Sequence, residues 1–311
     1  MRESRLANPK KNAVLLLAHG SPDSVEEVPE FLLRVTGGRS LPPAVVEEVK
    51  HRYGLIGRSP LTELTLKQGE LLAHELGLPV YVGMRNWKPF IADAVRVITS
   101  EGVEHAIAIC LAPQNSRTSV GLYRSSLASN GTSFTIDFVD SWHDHPLLIR
   151  AFAEKLRTGL DRARREMGAQ KVPIIFTAHS VPERTIAEGD PYESQSKETA
   201  SLVSQEAGLG SEDWAFAFQS QGMSGGAWLG PRVEDTILEL KERGHRSVFL
   251  QPIGFLCDHV EVLYDIDIGF KQFAEAQGMR LWRAESLNDS PLLAAALAEV
   301  ARSRLVLVAP K

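Results

Sequence analysis

The chain has 311 residues, 43% of them hydrophobic and 23% charged, the balance of a globular protein with room for two domains. A formal net charge of -5 argues against non-specific nucleic-acid binding as its main task. Two cysteines, Cys110 and Cys257, are too few for a disulfide framework or a four-ligand iron–sulfur cluster, and their apolar contexts fit a reducing cytosol.

The first stretch, Met1 to Asn12, is polar and basic without an apolar centre, so no signal peptide is expected. No apolar run is long enough for an integral membrane segment, and a cytoplasmic location is expected. The first strand is predicted at Val14–Ala18 and leads into Ala18-His19-Gly20-Ser21-Pro22-Asp23. Further strands are predicted near Val80–Met84, Ala106–Leu111 and Thr135–Val139, with helical patterns between them. In the long connection after the first strand, Arg52-Tyr53 and Arg58-Ser59-Pro60 offer guanidinium and hydroxyl donors. These suit the carboxylates of an anionic ligand, although surface pairing is the default explanation. His143-x-His145 reads as a solvated helix entry rather than a metal pair, and a long amphipathic helix is predicted from Pro146 to Met167, bridging the halves.

The second half repeats the first. Ile174-Ile-Phe-Thr-Ala-His179-Ser-Val-Pro-Glu183 answers Val14-Leu-Leu-Leu-Ala-His19-Gly-Ser-Pro-Asp23 at an offset of 160. Trp87, Pro89, Asp93 and Gly102 answer to Trp228, Pro231, Asp235 and Gly244 at offsets of 141 or 142. So steady a series indicates an internal duplication. Strands are predicted near Ile174–Thr177, Ala215–Gln219, Val248–Pro252 and Arg280–Arg283, and a last helix from Pro291 with Ser290 as its cap. Continuous apolar runs alternating with helices imply parallel strands covered on both faces. The expected fold is therefore α/β: two pseudo-symmetric Rossmann-like domains, 1–142 and 143–311, each a four-stranded parallel sheet flanked by helices. The helix at 290–305 is expected to pack back on the first domain.

His179 ends a predicted strand, where an imidazole can take a proton or ligate a metal; a lone histidine there is more often a hydrogen-bonded turn residue. Gly222-Met-Ser-Gly-Gly226 matches a serine-nucleophile pattern, but a glycine-rich turn is the commoner explanation, and adjacent Asp258 and His259 point apart. Neither first βα turn carries a glycine-rich phosphate cradle and no Gly-x-x-x-x-Gly-Lys-Ser/Thr is present, so no nucleotide is expected. Gly254-Phe-Leu-Cys-Asp-His-Val-Glu-Val-Leu-Tyr-Asp265 follows a buried-strand pattern and gathers Asp258, His259, Glu261 and Asp265. A helix beginning near Asp258 would place Asp258, Glu261 and Asp265 on one face, a row of hard oxygen donors for a divalent cation. The bland alternative is a solvated acidic helix start.

Tyr53-(x)3-Gly57-x-Ser59-Pro60-Leu61, Ala112-Pro113, Ser141-Trp142, Ala178-His179-Ser180-x-Pro182, Gln219-Ser220-x-Gly222, Trp228-Leu229-Gly230-Pro231 and the Gly254–Asp265 block together resemble the ferrochelatases, which insert ferrous iron into porphyrins. The likeness runs from about Ala13 to Leu305. It implies two Rossmann-type domains with porphyrin in the cleft between them. It also implies catalytic roles for His179 and, facing it across the macrocycle, Glu261. Asp265 would join these two as a metal ligand, on a helix with a π-type widening. Porphyrin contacts are implied for His19, Arg52, Tyr53, Ser59 and Tyr123, and apolar walls for Phe255, Leu256 and Trp228. A neutral His179, with an ordinary pKa of about 6.5, would accept protons near neutral pH. Fe2+ is expected as substrate, without nucleotide or cluster; the expected partners are porphyrin, product haem and neighbouring haem-pathway proteins.

Members acting on coproporphyrin III commonly have tyrosine where His19 stands and arginine where Thr36 stands. Asn86 replaces a histidine of some relatives, and Gly269 a frequent acid. These departures favour protoporphyrin IX slightly, with coproporphyrin III a close second. A non-catalytic haem carrier using His19 or His179, and a cobalt or nickel chelatase for another tetrapyrrole, are the alternatives. Retention of both Glu261 and Asp265 argues against the carrier.

Overall fold

The computed structural model describes residues 11–168, 171–221 and 226–307. The basic run up to Lys10 and Gly222 to Gly225 of the serine-containing turn lie outside it. Eight strands form two parallel sheets: β1 (Asn12–Ala18), β2 (Val80–Met84), β3 (His105–Cys110) and β4 (Thr135–Val139), then β5 (Ile174–His179), β6 (Trp214–Gln219), β7 (Ser247–Pro252) and β8 (Arg280–Arg283). The orders are β2-β1-β3-β4 and β6-β5-β7-β8, the same topology twice. The duplication reaches the hydrogen bonds: Met84 N donates to Pro89 O at 2.7 Å, and Phe218 N donates to Pro231 O at 2.8 Å.

The apolar runs are continuous because alternate residues serve different cores. Val14, Leu16, Ile107 and Ile109 of the first sheet share a central cluster with Phe176, Ala178 and Phe249 of the second. Ala13, Leu15, Leu17, Ala106 and Ala108 face an outer cluster on one side; Ile175, Ala217, Val248 and Leu250 face its counterpart on the other. The Pro146–Met167 helix, as predicted in extent, contributes Phe152 and Leu156 to the central cluster and packs against helix Tyr192–Ala207 and strands β7 and β8. Helix Pro291–Leu307 packs on helix Leu61–Leu76 and β3 of the first half as well as on the Pro146–Met167 helix. It, more than the Pro146–Met167 helix, ties the first half to the second.

In a sheet of order 2-1-3-4 the connections leave β1 and β3 in opposite directions, which opens a crevice at their C-terminal ends. The second sheet has the same switch point between β5 and β7. His19 follows β1, His179 ends β5, and the Gly254–Asp265 segment follows β7.

Candidate active site

His179 extends β5 one residue beyond its apolar pattern, still paired with Gln219 of β6. Its ring is fixed from both ends. Nδ1 lies 2.5 Å from Ser180 O, and Nε2 lies 3.5 Å from Glu261 Oε1. Glu261 reaches this point because the chain after β7 passes close over β5. A Cβ on Gly254 would come within 3.1 Å of Ala178 Cβ and 3.3 Å of its Cα, so a side chain there would push the loop away. Gln219 Nε2 then donates to Glu261 O at 3.0 Å and holds the segment from β6.

Three expectations are corrected here. The helix starts at Val260, two residues past Asp258, with His259 Nδ1 accepting from Glu261 N at 3.2 Å as its cap. Asp258 is turned away from Glu261: it accepts from Ser286 Oγ at 2.8 Å and Asn288 Nδ2 at 2.9 Å, and pairs with Arg283 at 3.2 Å. Next, His179 and Glu261 do not face each other across a macrocycle. Both belong to the second half and touch, whereas an inserted flat ring would need roughly 7 Å, two van der Waals contacts of about 3.5 Å. Finally, Leu256 is no wall; it is buried in the central cluster.

The pair is charged rather than neutral. Burial pushes the His179 imidazole down, but the Glu261 carboxylate, their hydrogen bond and Ser180 O override this and raise it from 6.5 to about 9. Burial pushes Glu261 up, and His179 with its hydrogen bond reverses that, lowering it from 4.5 to about 2. Each partner thus favours the other's ionised form, shifting the balance near pH 7 toward imidazolium and carboxylate.

His19, of the first half, and Glu261 each favour the other's charged form, Glu261 raising the His19 pKa and His19 lowering that of Glu261. Burial, seconded by the Arg85 guanidinium, still takes His19 down to about 4, so it is neutral at pH 7. Gly20, at φ +83°, lets the chain turn against Trp87 N, and the His19 ring packs edge-on to Phe31 at 5.8 Å.

Asp265 lies one step further along the second wall, at the start of the π-helix Asp265–Phe270, the widening the resemblance implied. Ser220 Oγ donates to its carboxylate, and Arg52 Nη1 of the first half reaches it at 3.6 Å. Burial first, then the Glu261 charge, raise it from 3.8 to about 6 against those two partners. Among the described residues no three His, Cys, Asp or Glu side chains gather to hold a metal ion. His179, Glu261 and Asp265 therefore do not converge as one three-ligand cluster.

The other expected contacts are mostly engaged within the protein. Tyr53 is buried with its hydroxyl 3.0 Å from Ser21 Oγ; Ser59 and Tyr123 are buried, and the Arg85 guanidinium lies over the Tyr123 ring at 5.7 Å. Arg52 is shared between Glu48 at 2.9 Å and Asp265, and stacks on Tyr264 at 4.9 Å. Arg58 pairs with Asp23 at the surface. Phe255 does line the site, its ring 6.5 Å from that of His179 and 4.5 Å from that of His259, and Trp228 bridges to Pro182 beyond His179. His143 is not solvated: it is buried between Ser141 Oγ at 2.7 Å and Glu198 at 2.9 Å.

In the sequence, Ser220 and Gln219 stand out only as residues of the family pattern. Their position at the end of β6, beside the switch point, is the signal that marks them as neighbours of the site.

Two like sheets, a histidine at the C-terminal end of the first strand of each, and a carboxylate joining one of them define a chelatase-type α/β protein. The fold matches the sirohydrochlorin chelatase SirB from Bacillus subtilis subspecies spizizenii in complex with cobalt, with a TM-score of 0.56 at 11% identity, covering 96% of this chain and 97% of that one. It also matches CbiX, with a TM-score of 0.53 at 14% identity, over 94% of this chain and 98% of the other. The chain belongs to the ferrochelatase family, whose model matches residues 11–305. It is 54% identical to the ferrochelatase of Acidobacterium capsulatum over 95% of each chain. To that of Deinococcus radiodurans it is 40% identical, over 98% of this chain and 99% of the relative. A protein of Geobacillus named coproporphyrin III ferrochelatase is 36% identical, over 96% of this chain and 99% of its own length.

Proposed function

We propose that this chain inserts Fe2+ into protoporphyrin IX in preference to coproporphyrin III, with the porphyrin lying in the crevice between His19 on one wall and His179 with Glu261 on the other. The carrying observation is the His179–Glu261 contact at 3.5 Å. Insertion exchanges one Fe2+ for two pyrrole protons. As an imidazolium and a carboxylate the pair offers a single acceptor site. Loss of the imidazolium proton makes it two, one for each pyrrole N–H, and the approach of a dication favours that loss. Asp265, raised to about 6 yet largely ionised at pH 7, is a station from which iron can be passed to Glu261. Phe255 and the His19–Phe31 contact supply apolar walls that can hold a bent ring.

The preference for protoporphyrin IX is supported by the commitment of Tyr53, Ser59, Tyr123 and Arg52 to internal partners or burial, which leaves few open donors for four carboxylates. We further propose that domains 1–142 and 143–311 provide the two walls and that the chain works in the cytoplasm beside other haem-pathway proteins. It uses neither nucleotide nor cluster, and Cys110 and Cys257 are buried free thiols. Among the described residues no helix is long and apolar enough to cross a membrane.

An anaerobic assay with the two porphyrins side by side tests this. His179→Ala or Glu261→Gln should lower turnover at least about a hundredfold. A preference of about tenfold in kcat/KM decides the substrate. Unimpaired turnover in both variants, or binding of haem without metal insertion, would sink the reading. Faster insertion of Co2+ or Ni2+ into another tetrapyrrole would replace it.

A further inference from the structure

One buried carboxylate joins the two halves directly behind His179. The Asp190 side chain is 1% exposed. Oδ2 accepts from Ser116 Oγ at 3.1 Å and from Arg117 N at 2.7 Å, both in the loop after β3 of the first half. Oδ1 accepts from Tyr192 N at 3.0 Å in its own loop. Arg117 extends the joint: Nη2 donates to Thr185 O at 2.7 Å and Nη1 pairs with Glu188 at 2.7 Å. Tyr192, fixed by Asp190 at its backbone, spends its hydroxyl on the carbonyl of His179 at 3.0 Å. The loop that Asp190 grips on the first side runs straight into helix Val120–Ser129, which carries Tyr123.

A carboxylate with three hydrogen bonds in a closed site is a stiff joint, because each buried partner would be costly to leave unpaired. The His179 peptide is set by that joint on one side and by Ser180 N, which donates to Gln219 O at 2.8 Å, on the other. The ring follows the peptide, since Nδ1 is held to the adjoining carbonyl. We infer that Asp190 and Tyr192 are positioning residues for the reaction: they fix the His179 imidazole at Glu261 and register the second wall against the first. Both act through His179. The inference rests on the reading of His179 given above.

Tyr192→Phe removes one hydroxyl from a buried ring and leaves the packing. It is expected to lower kcat about tenfold with KM for porphyrin within about twofold, and to leave Tm within about 4 °C. Asp190→Asn should also lower kcat, and the double variant should fall no further than the worse single one, because both act along one path. Full kcat in Y192F, a loss confined to KM, or effects that multiply in the double variant would overturn the inference. If D190N does not fold, the kcat and KM of Y192F decide alone. An inactive H179A beside a fully active Y192F defeats only this inference, whereas an active H179A defeats the functional reading itself.

Discussion

The His179 imidazole meets the Glu261 carboxylate at 3.5 Å on one wall of the crevice, and each keeps the other charged. The linkage is readable in stability. His179, raised from 6.5 to about 9, contributes stability that is complete below pH 6.5 and lost as pH climbs through 9. Glu261, lowered from 4.5 to about 2, contributes stability that is complete above pH 4.5 and lost as pH falls through 2. The pair is therefore fully effective between pH 4.5 and 6.5. Thermal denaturation across this range should show wild type most favoured over Glu261→Gln in that window, with the advantage shrinking toward pH 9. Parallel curves for the two proteins would contradict the coupling.

Asp265 has the opposite sign. Its folded pKa lies above its ordinary 3.8, at about 6, so the folded state binds more protons between those values and loses stability as pH rises through them. Asp265→Asn removes that penalty while its side-chain oxygen can still accept from Ser220. The variant should be more stable at pH 7 by on the order of 1–3 kcal/mol, a gain that disappears below about pH 4. The same change should raise KM for Fe2+, since a neutral amide is a poorer station for a dication. Denaturant titration at the two pH values, set beside metal-dependent kinetics, checks both halves.

What the sequence disclosed follows from what each residue's partners are. The strands were legible because Val14, Leu16 and their equivalents must be apolar to be covered on both faces. At β5 the apolar pattern stops at Ala178, but backbone pairing continues to His179, whose side chain meets the crevice instead of a core. Asp258 was misplaced because its position is set by Arg283, Ser286 and Asn288, more than twenty residues downstream, and no local pattern announces them. The wall that carries Glu261 was legible as well. The repeat already made His19 the counterpart of His179, and equivalent strand ends are the groups that oppose each other in a duplicated fold.

Arg283 offers a test of the Asp258 assignment. Its guanidinium binds Asp267 through Nε at 2.6 Å and Nη2 at 2.8 Å, and reaches Asp258 at 3.2 Å. Arg283→Met leaves the partly buried Asp258 and the more exposed Asp267 without their guanidinium and should cost on the order of 1–3 kcal/mol. Asp258→Asn keeps an acceptor for Ser286 and should leave turnover within a few-fold of wild type, because this carboxylate faces away from Glu261. A loss of turnover in the second variant comparable to that of Glu261→Gln would return Asp258 to the metal route.

Gly20 governs the first wall as Gly254 governs the second. At φ +83° its backbone lies in the left-handed region, and an added Cβ would sit 2.8 Å from Trp87 N and 2.9 Å from Trp87 Cβ. Neither atom can yield easily: Trp87 is buried, and the neighbouring Asn86 N is tied to His19 O at 3.0 Å. Gly20→Ala should thus destabilise the fold by about 2–4 kcal/mol, strain and overlap together. The displaced chain carries His19 with it, so the opening between His19 and Glu261 changes as well. Porphyrin affinity should fall in Gly20→Ala even at temperatures where the variant is fully folded, as fluorescence titration with a free-base porphyrin would show. Unchanged affinity in the folded variant would mean that the turn after β1 does not set the width of the crevice.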